Sequence, residues 1–232
     1  MKYLGFFILW VLAISTLAKA QSSGQSFLTT QMHYPRVRVA QQNQGKTVDN
    51  LLKAKNINKS TLQIKISAFK AEGVLEIWAK SDFQSTYILL QEFNICAKSG
   101  SLGPKLKQGD GQVPEGIYYI DRFNPNSTYH LSLGISYPNS ADEIRSKGLN
   151  PGGDIFIHGK CVTIGCLPMT DGIIEQIYLL AIYSKDSGQK QIPVSIFPFK
   201  MTEENLRLAE NTGLGKMWIS FWRDLAKHNN SN

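Results

Sequence analysis

Short runs in which apolar and polar residues alternate are the feature that most constrains how this chain folds. Alternation with a period of two is typical of β-strands that bury one face. From Thr61 onwards, alternating runs and short apolar runs follow one another, separated by glycine, proline and other turn-forming residues. They lie at 62–66, 74–78, 87–95, 117–120, 129–135, 154–157 and 194–197. We therefore predict a mainly β fold with a sandwich or barrel core and short helices.

Helical signals lie on both sides of these runs. A polar, loosely held N-terminal arm is expected at 21–44, followed by a short helical segment at 47–60. Asp171 is predicted to cap a helix whose apolar residues recur every three or four positions, and Thr202 to cap a helix at 203–209. A last helix would carry an apolar stripe at Trp218, Phe221, Trp222 and Leu225. We expect the C-terminal helices to pack on the β core.

The first twenty residues have the features of a cleavable secretory signal. Lys2 supplies a positive charge, residues 3–17 are almost wholly apolar, and small residues flank Lys19 in Ala18-Lys19-Ala20. An uncleaved anchor is the less favoured alternative, because roughly twenty apolar residues are needed to span a bilayer. We therefore expect an exported chain, in the periplasm or cell envelope, without a membrane span after cleavage.

The charge of the chain argues against a nucleic-acid partner. Lysine and arginine number 25 against 18 acids, a formal charge of +7. Removing residues 1–20 takes away two lysines and no acid, which lowers the charge to +5. This excess is scattered rather than concentrated in a dense basic run, so it is too weak to indicate nucleic acid. It suits a partner rich in carboxylates or phosphates.

The three cysteines of the chain direct attention to one segment. An odd number leaves at least one thiol unpaired within an exported monomer. Two of them, Cys161 and Cys166, lie with His158 in a glycine-punctuated stretch that follows an apolar strand. A histidine there can take the proton of a thiol, and the thiolate is the attacking species. Gly165 permits tight backbone geometry, so that its N–H and the next one can point at a developing oxyanion.

Other interpretations of these residues are available. Cys161 and Cys166 can form a disulfide, or join His158 as metal ligands. A zinc site lacks a fourth ligand and the usual zinc-binding spacings, so we predict no metal. His33 is expected to be solvated, and His130 is interpreted as a core histidine with its bonds satisfied rather than as a second site residue.

The same segment resembles a known family. Ile157-His158-Gly159 followed by Thr163-Ile164-Gly165-Cys166 is similar to the active-site motif of the L,D-transpeptidase (YkuD) catalytic domain, and the short spacing resembles the murein L,D-transpeptidase YafK-like branch. The similarity is collinear through segments at 103–105, 109–110, 114–118, 137–139 and 197–199. It covers roughly residues 61–200, which we therefore expect to be the catalytic domain. A signal peptide at 1–20 and an arm with a short helical segment at 21–60 would precede this domain, and a C-terminal helical extension at 201–232 would follow it.

The resemblance implies a YkuD-type β-sandwich and a cysteine acyltransferase that uses no cofactor. Cys166 would attack a carbonyl of a peptidoglycan stem peptide and form a thioester. His158 would be its base, oriented by the backbone carbonyl of Gly159. The N–H groups of Gly165 and Cys166 would form the oxyanion hole.

The resemblance also assigns the remaining residues of interest. Tyr137 and Thr163 would contact the substrate. Cys96 and Cys161 would be left for a structural disulfide, with a reversible Cys161–Cys166 bond as the alternative. Ile164 stands where the family motif has a second histidine, and the segment 167–169 lacks the usual arginine or asparagine. These departures bear on the choice of substrate and acceptor.

Three functions follow in order of preference. The first is an exported L,D-transpeptidase acting on stem peptides, with a role in cell shape and with an amine or a wall-attached protein as acceptor. The second is a murein-peptide amidase or carboxypeptidase that uses the same Cys166 and His158 with water. The third is a non-catalytic protein that binds the cell wall.

Overall fold

The computed structural model describes residues 25–81 and 84–210. The predicted signal peptide at 1–20 and the last predicted helix, with Trp218 and Leu225, lie outside the described residues. The domain bounds at 60 and 200 stay a prediction. Within the described part, no helix is both long enough and apolar enough to cross a bilayer.

Eight strands in the described part of the chain form one continuous sheet. They are β1 Gln63–Phe69, β2 Val74–Lys80, β3 Ile88–Asn94, β4 Gly116–Asn124, β5 Ser132–Ile135, β6 Phe156–His158, β7 Leu167–Pro168 and β8 Pro193–Phe197. Their spatial order is β3-β2-β1-β8-β4-β5-β6-β7. The mainly β prediction is confirmed, and each alternating run identified in the sequence contributes a strand.

Strand β4 joins two halves of this sheet. Its first half pairs antiparallel with β8, with Gly116 opposite Ile196. Its second half pairs antiparallel with β5, and the register shifts between Ile120 and Arg122. Such an irregularity bends the strand and increases its twist. The half that contains β5, β6 and β7 carries the candidate site.

Five α-helices of the described part pack around the sheet. They are α1 Phe27–Met32, α2 Pro35–Ala54, α3 Ser140–Arg145, α4 Asp171–Asp186 and α5 Glu203–Glu210, with a 3-10 turn at Lys59–Thr61. Helix α4 is apolar on nearly all sides, and its segment from Ile177 to Tyr183 is buried. Thr202 caps α5 as predicted, since its hydroxyl accepts a hydrogen bond from the Asn205 N–H.

The prediction of a loosely held arm at 21–44 is wrong over its described part. Helix α2 begins at Pro35, a residue favoured in the first helical turn, and buries Val37, Ala40, Val48 and Leu52 in the common core. Its polar side chains bond to α4, as Asn43 does to Glu175. Few of its residues are apolar, so the helix depends on tertiary packing that the local pattern did not reveal.

Two further details of the sequence interpretation need correction. Asp171 does not cap α4, because Thr170 is the N-cap residue and the Asp171 carboxylate accepts the Lys160 N–H at 2.9 Å. The strand predicted at 129–135 begins only at Ser132, because His130 has a left-handed backbone with φ of 67°. Tertiary contacts of neighbouring loops decide both details.

Candidate active site

Two short parallel strands bring the predicted site residues together. Strand β6 ends at His158 and β7 begins directly after Cys166. In their pairing Ile157 lies opposite Leu167 and His158 opposite Pro168. The loop at 159–166 therefore returns the chain to the side of His158, so that the candidate base ends one strand and the candidate nucleophile immediately precedes its neighbour.

The cysteines are divided between a disulfide and a free thiol. Cys96 and Cys161 are bonded, with Cα atoms 5.4 Å apart, and Cys166 is free. This is the pairing that the family resemblance implied, and the alternative Cys161–Cys166 bond is wrong. The disulfide ties the loop at 159–166 to the segment that follows β3.

His158 is held in one orientation and one protonation pattern. Its side chain is buried, and Nδ1 lies 2.6 Å from the Gly159 carbonyl oxygen. Because a carbonyl only accepts, Nδ1 carries the proton and Nε2 is left with a free lone pair. Burial lowers the pKa of His158 below its ordinary value, although the bond to Gly159 opposes this. The imidazole is therefore neutral at neutral pH, as a base must be.

The Cys166 thiol is also neutral at rest. Burial raises its pKa, with a smaller contribution in the same direction from Asp154, while a backbone contact with Phe156 and the Lys105 cation lower it. The thiol lies 3.7 Å from the carbonyl oxygen of Asp154. A neutral thiol beside a neutral imidazole differs from a preformed ion pair, so the proton must transfer as the sulfur attacks.

A cavity of about 470 Å³ contains both residues. It is lined by Asn124, Ser127, Thr128, Tyr129, Ser132, Asp154, Phe156, His158, Val162, Thr163, Ile164 and Cys166. Cys166 also lines a second cavity of about 240 Å³, on the side of Lys70, Ser99 and Val113. The nucleophile candidate is therefore reached from two sides.

The two N–H groups predicted to form the oxyanion hole already donate hydrogen bonds to a side chain of the protein. Both the Gly165 N–H and the Cys166 N–H donate to the Thr163 hydroxyl oxygen, at 3.2 and 2.8 Å, and that hydroxyl donates to the Cys166 carbonyl. Gly165 has φ of +133°, and a Cβ there would lie 3.0 Å from the Gln112 carbonyl oxygen. The turn thus requires glycine, and the oxyanion hole stays a prediction.

The loop at 105–112 packs against this turn. The Asp110 carboxylate accepts hydrogen bonds from Lys105 Nζ at 2.5 Å and from the N–H groups of Leu106, Lys107 and Gln112. These bonds hold the pKa of Asp110 at about 2 despite its partial burial. The loop they fix carries Gln112, whose carbonyl packs against Gly165.

Of the predicted site residues, the structure brings together His158, Gly159, Thr163, Gly165 and Cys166. Tyr137 lines neither cavity. It is buried, with its hydroxyl donating to the Pro151 carbonyl at 3.1 Å. Its predicted contact with substrate therefore has no support in the geometry.

The two other histidines of the described part, His33 and His130, do not line the cavity. His130 Nε2 is 2.9 Å from a carboxylate oxygen of Glu175, consistent with a satisfied core histidine. His33 is bound through Nδ1 to the carbonyl of Thr29 in its own helix. Among the described residues no three metal-binding side chains lie together.

Tyr129 and Asp154 are two of the cavity residues that the sequence did not indicate. The Tyr129 ring lies 4.8 Å from the His158 ring, tilted by 44°, and covers the candidate base. Asp154 follows two glycines and was taken only as the start of a strand. No local signal marks either residue, because loops that are distant in the sequence carry them to the cavity.

A mainly β fold that places a free cysteine and a neutral histidine in one cavity is the architecture expected of an L,D-transpeptidase-type domain. No known family profile matches this chain. Over 155 residues, however, it is 38% identical to "Putative L,D-transpeptidase YafK" of Escherichia coli K12, and equally to the protein of that name in Escherichia coli O157:H7. The chain is therefore a relative of the YafK-type L,D-transpeptidases, as the motif at 157–166 predicted.

The extent of these similarities is partial. The aligned part is 66% of this chain and 61% of the relative, so this chain spans less than two thirds of the length of YafK. Among solved structures, the helical cell shape determining protein Pgp2 of Campylobacter jejuni has 21% identity and a TM-score of 0.47, covering 69% of this chain and 59% of Pgp2. Bd1075 of Bdellovibrio bacteriovorus has 18% identity and a TM-score of 0.43, covering 73% and 58%.

Proposed function

We propose that this protein is a cysteine L,D-transpeptidase that acts on peptidoglycan stem peptides. The observation that carries the proposal is the arrangement of Cys166 and His158. The only cysteine outside the disulfide shares a cavity with a histidine whose Nδ1 proton is held by a backbone carbonyl. The relationship to YafK adds the reaction class.

The first half of the proposed reaction uses the neutral pair. His158 Nε2 takes the proton from Cys166 as Sγ bonds to the substrate carbonyl carbon, and an electron pair moves onto the carbonyl oxygen. When the tetrahedral intermediate collapses, its carbon–nitrogen bond breaks. The imidazolium returns the proton to the departing amine, which leaves a thioester on Cys166.

In the second half an amine attacks the thioester. His158 accepts the proton of that amine, the carbon–sulfur bond breaks, and the thiol is restored by the same proton. The second cavity at Cys166 supports transfer between two peptides, because the acyl donor and the acceptor can occupy different cavities that both reach Cys166. Each half-reaction is balanced without a cofactor.

Charge on the intermediate would be stabilised by the N–H groups of Gly165 and Cys166. Both are already aimed at one oxygen atom, the hydroxyl of Thr163. We propose that the substrate oxygen replaces this hydroxyl when the Thr163 side chain turns away. Prearranged donors of this kind contribute about 2.7–4 kcal/mol per hydrogen bond in enzymes with oxyanion holes.

Hydrolysis by the same residues is the second candidate. Ile164, where the family motif has a histidine, is 89% exposed and offers no hydrogen bond to an acceptor peptide. Pro168 is buried in β7 and cannot bind a carboxylate as arginine does. A site with few acceptor-binding groups favours water, which would make the protein a murein-peptide amidase or carboxypeptidase.

The disulfide supports export to the periplasm or cell envelope. Disulfides persist in oxidising compartments and are rare in the cytosol. The Cys96–Cys161 bond anchors the loop that carries Cys166, so this loop would have all of its anchors only in such a compartment. Peptidoglycan, the proposed substrate, is located there too.

The test is intact-mass analysis after incubation with purified muropeptides, with Cys166→Ala as the control. An adduct or changed muropeptides with the native chain only would support the proposed nucleophile. New dimers would indicate transpeptidation, whereas only shortened or released stems would indicate hydrolysis. A folded protein with a free thiol that forms no adduct and no product would contradict both, and would favour a binding protein without catalysis.

A further inference from the structure

The first turn of helix α2 carries two arginines, Arg36 and Arg38, and no acidic residue. Cations are unfavourable at this end of a helix, because the backbone N–H groups there are unpaired and carry a partial positive charge. Each arginine is therefore expected to bond to groups outside the helix. Arg38 does so locally, since its Nη1 donates to the carbonyls of Met32 and His33 at 2.9 Å.

Arg36 instead bonds to a loop that is distant in the sequence. Its Nη1 donates to the carbonyl oxygens of Ser127 and His130, the latter at 2.8 Å. Tyr129 lies between these two residues in the chain, and we call the segment 127–130 the Tyr129 loop. Helix α2 therefore holds this loop at both of its ends.

The conformation of the Tyr129 loop depends on such anchors. The loop contains turns but no helix or strand, and the His130 backbone has φ of 67°, in the left-handed region that non-glycine residues seldom adopt. His130 takes part through its backbone alone, since its imidazole bonds to Glu175 and does not line the cavity. Lys160 Nζ donates to the Thr128 carbonyl at 3.0 Å. Three of the four carbonyls of the loop thus accept hydrogen bonds from cationic side chains.

The Tyr129 loop contacts the candidate base in two ways. The Tyr129 ring lies 4.8 Å from the His158 ring. The Tyr129 carbonyl oxygen packs against Gly159, where a Cβ would lie 2.9 Å from it, and the Gly159 carbonyl accepts the Nδ1 proton of His158. A displaced loop would therefore expose the imidazole to water and disturb the residue that orients it.

We propose that Arg36 is a positioning residue, which holds the Tyr129 loop against His158 and so shields the candidate base from water. Its importance for catalysis rests on the proposed function. Arg36 lines neither cavity at Cys166, so it acts through Tyr129 and not on the substrate. The inference makes helix α2 part of the active unit, although α2 lies outside the domain predicted at 61–200.

The first measurement follows the ionisation of His158 by NMR, which requires no turnover. The chain has four histidines, so few ring signals are present, and His158→Gln identifies the relevant one. Burial lowers the pKa of His158, and among the described residues no charged group adds to this effect. Loss of the contact with Tyr129 should therefore raise that pKa towards its ordinary value of about 6.5. The titratable and charged groups nearest to His158 are Tyr129, Asp154 and Cys166 in the cavity, and Lys160 and Asp171 beside Gly159.

Replacement of Arg36 should change both this pKa and the reaction. Arg36→Met should raise the pKa of His158 and lower the rate of Cys166 acylation by up to about a hundredfold, since small displacements near a reacting group have effects of this size. Arg36→Lys keeps a donor and the charge, so it should retain most of both properties. Arg38→Met removes the same charge from the same turn without a contact to the loop, and should behave like the native chain. Both arginines are exposed, so these replacements leave the core intact.

Tyr129→Leu tests the route without a change of charge. It should raise the pKa of His158 about as much as Arg36→Met does, and the double variant should add little, because both changes remove the same contact. Additive effects, a native pKa in Tyr129→Leu, or a slower acylation with an unchanged His158 pKa would overturn the inference. Equal effects of Arg36→Met and Arg38→Met would also overturn it.

The two proposals fail in different ways. If the native chain acylates Cys166 but Arg36→Met changes neither the His158 pKa nor the rate, the positioning role is wrong and the reaction stands. If Arg36→Met raises that pKa but the native chain forms no acyl-enzyme, the contact with His158 stands and the transpeptidase proposal is contradicted.

Discussion

Helix α4 and the loop at 159–166 lie side by side in this protein but are held by different interactions. Most side chains of α4 are buried, and Ile177, Tyr178 and Leu180 have no exposed surface. In the loop, Val162 and Ile164 are 56% and 89% exposed. Burial of apolar surface therefore stabilises the helix, whereas a disulfide and a few hydrogen bonds determine the conformation of the loop.

The comparison indicates that the stability of the core and the conformation of the loop at 159–166 can be changed independently. The loop is anchored at its start by the bond from the Lys160 N–H to Asp171, in its middle by Cys161, and at its end by Thr163 and the pairing of β7. Each anchor is specific and individually removable. The core contains many apolar contacts of the same kind, so removing one of them would lower the stability of the whole fold by a limited amount.

The largest expected effect comes from removing the base. His158→Gln should lower the rate of thioester formation by roughly 10²–10⁴-fold, the usual contribution of a general base. The matched control is His130→Gln, since His130 bonds to Glu175 outside the cavity. Acylation measured by mass should fall only for His158→Gln. Equal losses in both variants would show that the effect comes from folding and not from proton transfer.

The next effect tests the core side of the comparison. Ile177→Ala removes a fully buried side chain of α4 and should lower the free energy of unfolding by about 2–5 kcal/mol. Urea denaturation measures this change. Because the loop has its own anchors, the alkylation rate of Cys166 in the remaining folded protein should stay near that of the native chain. A large change in that rate would mean that core and loop are coupled.

Removing the disulfide tests the loop side. The Cys96→Ala/Cys161→Ala variant should lose about 2–4 kcal/mol of stability, the usual range for a bond that closes a long loop. Unlike Ile177→Ala, it should also change the reactivity of Cys166 in the folded protein, because Cys161 anchors the same loop. An unchanged alkylation rate would indicate that Thr163 and β7 hold the nucleophile without the disulfide.

The smallest expected effect is the pH dependence of acylation and alkylation, which follows from the neutral His158 and the neutral Cys166 thiol. His158 accepts a proton only when neutral, and burial lowers its pKa, so the acidic limb of the acylation rate should lie below about pH 6.5. Activity is then lost as pH falls through that pKa. Burial raises the pKa of Cys166, so alkylation by iodoacetamide should instead increase at a pH above the ordinary thiol range. A limb well above pH 6.5 would contradict the environment described for His158.

The strands could be predicted because each depends on its own alternating run. In β1 every second residue is buried, whereas β2 is buried throughout Val74–Ile77 and alternates only after that. The first part of helix α2, at 35–44, could not be predicted in the same way, because its largely polar sequence is stabilised by burial of Val37 and Ala40 in the common core. The Asp171 cap failed for a related reason, since its carboxylate is used by a distant backbone N–H at Lys160.

The sequence by itself determined the mainly β class, the candidate nucleophile and base, and the resemblance to the L,D-transpeptidases. All three depend on local patterns or on a short motif between His158 and Cys166. Only the tertiary structure decided that Cys96 bonds to Cys161, that Thr163 engages the predicted oxyanion donors, and that Asp154 enters the cavity. These contacts join residues through folded loops and turns, and their partners are selected by packing in three dimensions, which a local pattern does not encode.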